Sequence, residues 1–324
     1  MREGISRDGR HLYPAFPYTS FTKVTDDDLM AIYAYLMSQQ PVRAEVPETK
    51  LAFPFSVRPM LGLWNALYLK PGPDLADPAR SAQWNRGAYL VNGLGHCTAC
   101  HTPRNALGAE KIGRHYLGGA MIDGWEAPPL TSITHAPVPW TEQELFRYLR
   151  YGHTEQHGVA AGPMMPVVQE LATLPEQDVR AMAHYLASFN GAVAADDAQA
   201  VAGELVAAAR TRADRVVNAD SRLFSTACGS CHHDGNGPAL LGLNKPLALN
   251  SNLHSATPDN LVQVILHGVA ETASSDGGYM PAFKHSLSDE QVARIAGYMR
   301  QRYAPDKPAW KGIEHTVARL RTAH

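Results

Sequence analysis

The sequence is short of charge, of cysteine and of long apolar runs, and each shortage excludes something. Charged residues make up 19% of the chain and the formal net charge is −2. There is therefore no basic footprint for nucleic acid, and no nucleic-acid partner is expected. No apolar run reaches the roughly 20 residues that span a bilayer. The best stretches, 51–69 and 191–209, are broken by Pro, Arg, Trp, Asn, Asp or Glu. Neither a P-loop nor a dinucleotide fingerprint is present, and no catalytic triad or acid–base pair stands out. What remains is a loop-rich globular chain of 324 residues with 45% hydrophobic residues, 26 Gly and 23 Pro. That length suggests two or three domains.

The cysteines are few but ordered. Cys97, Cys100, Cys228 and Cys231 form two C-x-x-C pairs, each followed at once by a histidine, His101 or His232. Composition alone leads one to expect roughly 0.002 such pentads. A C-x-x-C-H pentad is the attachment site of c-type haem: two thioether bonds from the sulfurs and an axial imidazole from the next residue. A redox pair does not explain the histidine and would sit in a βαβ context. A four-cysteine zinc site would need to unite pairs far apart in the chain and would also leave the histidine unexplained. The expectation is two covalently attached haem c groups.

A soft thioether is the usual second axial ligand. After His232 the candidate is Met280, in the Gly/Pro-rich loop Gly278-Tyr279-Met280-Pro281; after His101 it is Met164 or Met165, in Gly162-Pro163-Met164-Met165-Pro166. Three segments echo one another: Asp28-Leu29-Met30-Ala31-Ile32-Tyr33-Ala34-Tyr35-Leu36, Asp178 to Leu186, and Gln291 to Met299. Each reads as an amphipathic helix closing a unit; in the first, Leu29, Ile32, Tyr35 and Leu36 define the buried face.

The reading is a mostly α chain of tandem class I cytochrome c domains, two complete plus the C-terminal remnant of a third. Residues 1–40 are the remnant, with Phe16 where the later units have their Met. Residues 41–80 form a Pro-rich connector that packs across domain surfaces. Residues 81–190 and 214–304 are the two haem domains, joined by the Ala-rich linker 191–213 with a helix from about 198. The tail 305–324 is an amphipathic helix that docks on a partner or membrane surface, or packs back on its own domain. The first residues carry no export signal, so the chain reads as a fragment or as translation counted from an internal methionine, with a naturally shortened protein as the alternative.

Leu12-Tyr13-Pro14-Ala15-Phe16-Pro17-Tyr18, Tyr33-Ala34-Tyr35-Leu36-Met37, Leu51-Ala52-Phe53-Pro54-Phe55, Gly87-Ala88-Tyr89-Leu90, Cys100-His101-Thr102-Pro103-Arg104-Asn105 and Gly162-Pro163-Met164 resemble the multi-haem cytochrome c subunits of periplasmic, membrane-associated dehydrogenases. These serve alcohol, gluconate, aldehyde and nicotinate dehydrogenases. The resemblance implies Met164 as the ligand opposite His101, a periplasmic location at the face of the inner membrane, and a catalytic partner of quinoprotein or molybdopterin type. Phe16 in place of a methionine points to the molybdenum branch. The resemblance also implies that opening and closing helices cross, bringing Tyr89 to the Tyr185 region and Phe224 to the Tyr298 region, with Asp220, where Gly is common, loosening the second crossing.

Further expectations are local. Pro103 and Pro238 present carbonyls to the Nδ1 atoms of His101 and His232; Arg104, Thr134 and Trp140 face haem carboxylates; most of His96, His153, His157 and His233 are solvated, and none is taken as a ligand. Function follows as electron transfer from a dehydrogenase to quinone or a soluble cytochrome. The rivals are a di-haem peroxidase or thiosulfate-oxidising cytochrome, which would need an open haem face, and a haem–copper oxidase subunit, which would ordinarily bring a membrane anchor.

Overall fold

Side-chain caps from Thr25, Ser81, Thr141, Asn218 and Ser288 mark five helix starts. In the computed structural model, which describes residues 1–322 except 46, 52, 54–55, 192, 214–217, 234–245 and 271–277, α1 (Tyr18–Phe21) and α2 (Asp26–Ser38) open the chain. The Thr25 side chain accepts from the Asp28 amide, and three aspartates favour the positive end of the α2 dipole. Around α1, Tyr18 and Val24 are fully buried. The expected buried face of α2 is not formed: Tyr35 is 66% and Leu36 58% exposed. Among the described residues, hydrogen bonds from other elements reach only its first turn, from Arg2 to Asp26 and from the Tyr89 hydroxyl to Asp28.

The connector does pack across neighbours. Its helix α3 (Met60–Tyr68) buries Leu61, Arg58 donates to the His11 carbonyl at 2.9 Å, and the Trp64 indole donates to the Leu107 carbonyl at 2.9 Å. Phe55 of the sequence motif lies outside the described residues.

The first full unit begins with α4 (Ala82–Tyr89), capped by Ser81, which runs into a π-helical turn over Leu90–Leu94. That turn lets the Cys97 amide bond back to the Val91 carbonyl at 3.0 Å and carries the chain into α5 (Thr98–His101). A hairpin follows, β1 (Ala120–Ile122) against β2 (Trp125–Ala127), antiparallel with Ile122 opposite Trp125. Then come α6 (Glu142–Tyr151), a short hairpin β3 (His153–Thr154) and β4 (Gly158–Val159), α7 (Met164–Leu171) and α8 (Glu176–Ala187). Helix α8 crosses α4 at Gly87, where an added Cβ would sit 2.0 Å from the Ala181 carbonyl oxygen. Trp84 meets Tyr185 edge-on at 4.9 Å, and Arg86 grips Asp178 through two 2.8 Å hydrogen bonds. Trp84, not Tyr89, makes the aromatic contact with Tyr185, because Tyr89 turns toward α2.

The linker helix α9 (Ala195–Ala213) starts three residues earlier than expected. The second unit contains α10 (Ala219–Ala227), α11 (Asp259–His267) and α12 (Asp289–Tyr303); capping boxes at Asn218/Ser221 and Ser288/Gln291 open α10 and α12. Phe224 meets Tyr298 at 5.3 Å. Asp220 does not loosen this crossing: it accepts from Arg294 of α12 at 2.7 Å, repeating the α4–α8 ion pair with the charges exchanged. The tail helix α13 (Ile313–Thr322) packs back on this unit, with Val317 and Leu320 fully buried and Arg319 and Arg321 held at 2.5 Å by Asp259 and Asp289. Its apolar face is spent inside the protein, on the core of the second unit.

The two units are pinned together. Asn260 of α11 accepts from the Glu126 amide at 2.7 Å and donates to the Glu126 carbonyl at 2.8 Å, as an added strand would. The Ser255 hydroxyl donates to the Glu126 carboxylate.

Candidate functional site

In the first unit, Cys97 follows the π-helical turn and is half-buried against an apolar cluster containing Leu90, Val91, Leu117, Met182 and Leu186. Met164 packs both on that cluster and on a neighbouring one in which Met165 is buried with Ala160 and Val168. Met164 opens α7 just after Pro163 rather than lying in a loop, because a proline-started helix aims its first side chain back along the preceding turn. In the second unit, Cys228 and Met280 share the core built on Phe224, Ile265, Ile295 and Met299.

Neither cysteine pair forms a disulfide. Burial pushes the Cys97 thiol up to about 12 and the Cys228 thiol to about 11, so neither sulfur is set up as a thiolate nucleophile or metal ligand. A cleft partly open to solvent is lined by Cys228, Cys231, His232, Met280 and apolar side chains. That lining suits a flat macrocycle joined to two sulfurs.

The His101 imidazole places Nδ1 2.8 Å from the Pro128 carbonyl oxygen. Nδ1–H donates there, so Nε2 is the free lone pair, as a ligating histidine requires. Pro103 does not play this part, because its carbonyl accepts from the Lys111 amide at 2.8 Å. The His101 carbonyl is itself held by the Gly119 amide at 2.8 Å, so the loops flanking β1–β2 grip both ends of the residue. Half-buried His232 has no partner for its buried Nδ1 among the described residues, and Pro238 lies outside them. Burial pushes both imidazoles toward the neutral form, the form that binds iron.

The remaining candidates divide. Arg104 donates to the Gly108 and Ala99 carbonyls, both at 2.8 Å, and braces the loop after the pentad. The Thr134 hydroxyl accepts from the Ala136 amide at 3.3 Å. Trp140 stacks flat on His157 at 3.5 Å and 10°. His96, in the left-handed region at φ +38, presents an edge contact to Phe21. His157 is buried rather than solvated, at 5% exposure. Sequence reasoning missed Pro128, which no local signal marks, and Gly268. With φ +73 and an added Cβ 2.3 Å from the Met280 carbonyl oxygen, Gly268 permits the paired hydrogen bonds between Val269 and Met280. A lone glycine ending an apolar helix was the available clue.

The fold and the two sites define tandem cytochrome c domains, the class whose iron is carried by covalently bound haem c. Residues 85–190 match the family described as "Cytochrome c", and residues 217–299 the one described as "Cytochrome C oxidase, cbb3-type, subunit III". Over 321 residues, 99% of the chain, it is 57% identical to a subunit of the nicotinate dehydrogenase of Pseudomonas putida. It is 38% identical over 92% of its length to the fructose dehydrogenase cytochrome subunit of Gluconobacter japonicus. It is 32% identical over 99% to the cytochrome c subunit of the quinone alcohol dehydrogenase of Gluconobacter oxydans. The chain belongs to this family of dehydrogenase cytochrome c subunits. It spans 26%, 65% and 69% of those three relatives. No helix among the described residues is long and apolar enough to cross a membrane.

Proposed function

We propose that the chain holds two haem c groups and carries electrons in the periplasm, from a catalytic dehydrogenase of molybdopterin type to a quinone or a soluble cytochrome. Cys97, Cys100, His101 and Met164 hold the first group; Cys228, Cys231, His232 and Met280 hold the second. When bound, haem supplies one-electron chemistry whose potential a thioether ligand raises. The chain's own residues orient and bury. Pro128 fixes the His101 ring, Gly268 lets the Met280 segment close on Val269, and the Glu126–Asn260 clasp holds the two sites at one separation.

The observation that carries this reading is that each unit places its pentad cysteine and its methionine on one apolar cluster. The 57% identity to the nicotinate dehydrogenase subunit and Phe16 support the molybdopterin branch. The test is mass and carbon monoxide. Protein matured in a haem-exporting host should gain two porphyrin masses, and in the reduced state neither haem should bind carbon monoxide. Met280→Ala should open one haem to the gas and Met164→Ala the other. A wild type that binds it would support the peroxidase reading instead, and an unchanged Met164→Ala would move the ligand to Met165.

A further inference from the structure

The cleft lined by Cys228, Cys231, His232 and Met280 is not built by the second unit alone. Gly158 and Val159, which form β4 of the first unit, line it as well. Two contacts seat them there. Gly158, left-handed at φ +84, lies so close to Asn250 that an added Cβ would stand 3.3 Å from its Nδ2, and Asn250 lines the same cleft. Val269, also in the lining, packs on the first unit's cluster of Ala160, Met165 and Val168. The Val269 backbone in turn exchanges hydrogen bonds of 2.9 and 3.0 Å with that of Met280. The β3–β4 hairpin is braced in this position. The Ala160 amide donates to the Gly152 carbonyl at 2.8 Å, and the His157 amide to Thr154 Oγ1 at 3.0 Å.

The apolar shell of a metal site controls solvent access and local dielectric, and through them the redox potential. A wall that keeps water away favours the reduced iron, which carries one positive charge fewer. Resting on the reading of a haem at Cys228 and Cys231, we infer that this haem's site is shared between the units: β4 of the first unit, through Gly158 and Val159, closes one side of the second haem's cleft and tunes its potential. Gly158 keeps the hairpin close by leaving room for Asn250, and half-buried Val159 supplies an apolar side chain to the wall. The two units therefore do more than sit beside each other. One of them completes the other's cofactor site.

The full chain, matured in a haem-exporting host, is first weighed, so that absence of the second haem is separated from failure of this inference. A redox titration then follows both haems, and Met280→His marks the second haem's wave as the one it lowers. Val159→Asp and Val159→Lys place opposite charges at one point of the wall. A negative charge near the iron favours its oxidised form and a positive charge its reduced form. The second haem's potential should therefore be lower in the Asp variant than in the Lys variant, by up to a tenfold change in the reduction equilibrium, about 59 mV for one electron. The first haem's should differ by less. Damage to packing alone would move both variants equally. If the charged variants do not mature, the wild type decides: in proton NMR the Val159 methyl signals should shift as the second haem is oxidised. Equal potentials in the two variants, a larger difference at the first haem, or Val159 signals that follow the first haem alone would overturn the assignment.

Discussion

At the level of single residues, two glycines carry more than their size. Gly87 is where the backbones of α4 and α8 touch, with no room for a methyl group. Gly87→Ala should part the helices and cost about 1–3 kcal/mol, the range for overpacking a tight contact, read as a lowered urea midpoint of the haem-loaded protein. The equivalent change at the exposed Gly9, where nothing lies within 4 Å, faces only the strain of its left-handed backbone and should leave the first crossing intact. Much of the site was legible at this scale, because the pentads are local chemistry: the two sulfurs and the imidazole must be neighbours in sequence to meet one porphyrin. Pro128 was not legible. It stands well downstream of His101 and reaches it only because the β1–β2 hairpin folds back.

Among the elements, the two helix crossings form one device used twice. Arg86 on the opening helix meets Asp178 on the closing one, and Asp220 on the opening helix meets Arg294 on the closing one. Hydrogen bonding to Arg86 holds the Asp178 carboxyl below the usual carboxylate range, against the opposing effect of partial burial. A carboxylate depressed in the folded state adds stability above its unfolded pKa of ~3.9 and loses it as pH falls through the folded value. Acid unfolding followed from pH 5 to pH 2 should therefore lose part of its steepness in Arg86→Gln. Exchanging both charges, Arg86→Asp with Asp178→Arg, should restore most of it, as the second unit already illustrates. Sequence periodicity named the closing helices correctly but assigned α2 a buried face that it lacks. Amphipathicity states that a helix has an apolar side, and only a partner surface makes that side buried.

For the molecule as a whole, the separation of the two sites depends on the clasp between β2 and α11. Asn260 pairs with both backbone groups of Glu126, and truncating it leaves a half-buried donor and acceptor unmatched. Asn260→Leu should cost about 1–3 kcal/mol and split calorimetric unfolding into two transitions, one for each unit. A single unchanged transition would mean that the linker and α13 suffice to couple them. Apolar surface remains exposed on α2 and α3, at Met30, Tyr33, Met37, Leu63 and Leu67, while the tail helix that looked equally available is fully engaged.

The sequence by itself determined the cofactor chemistry and the order of the units, since both depend on residues adjacent in the chain. Tertiary structure alone decided which carbonyl orients His101 and that His157 is buried. Those are matters of which surfaces meet, set by long-range packing of hairpins and helices that no local pattern encodes.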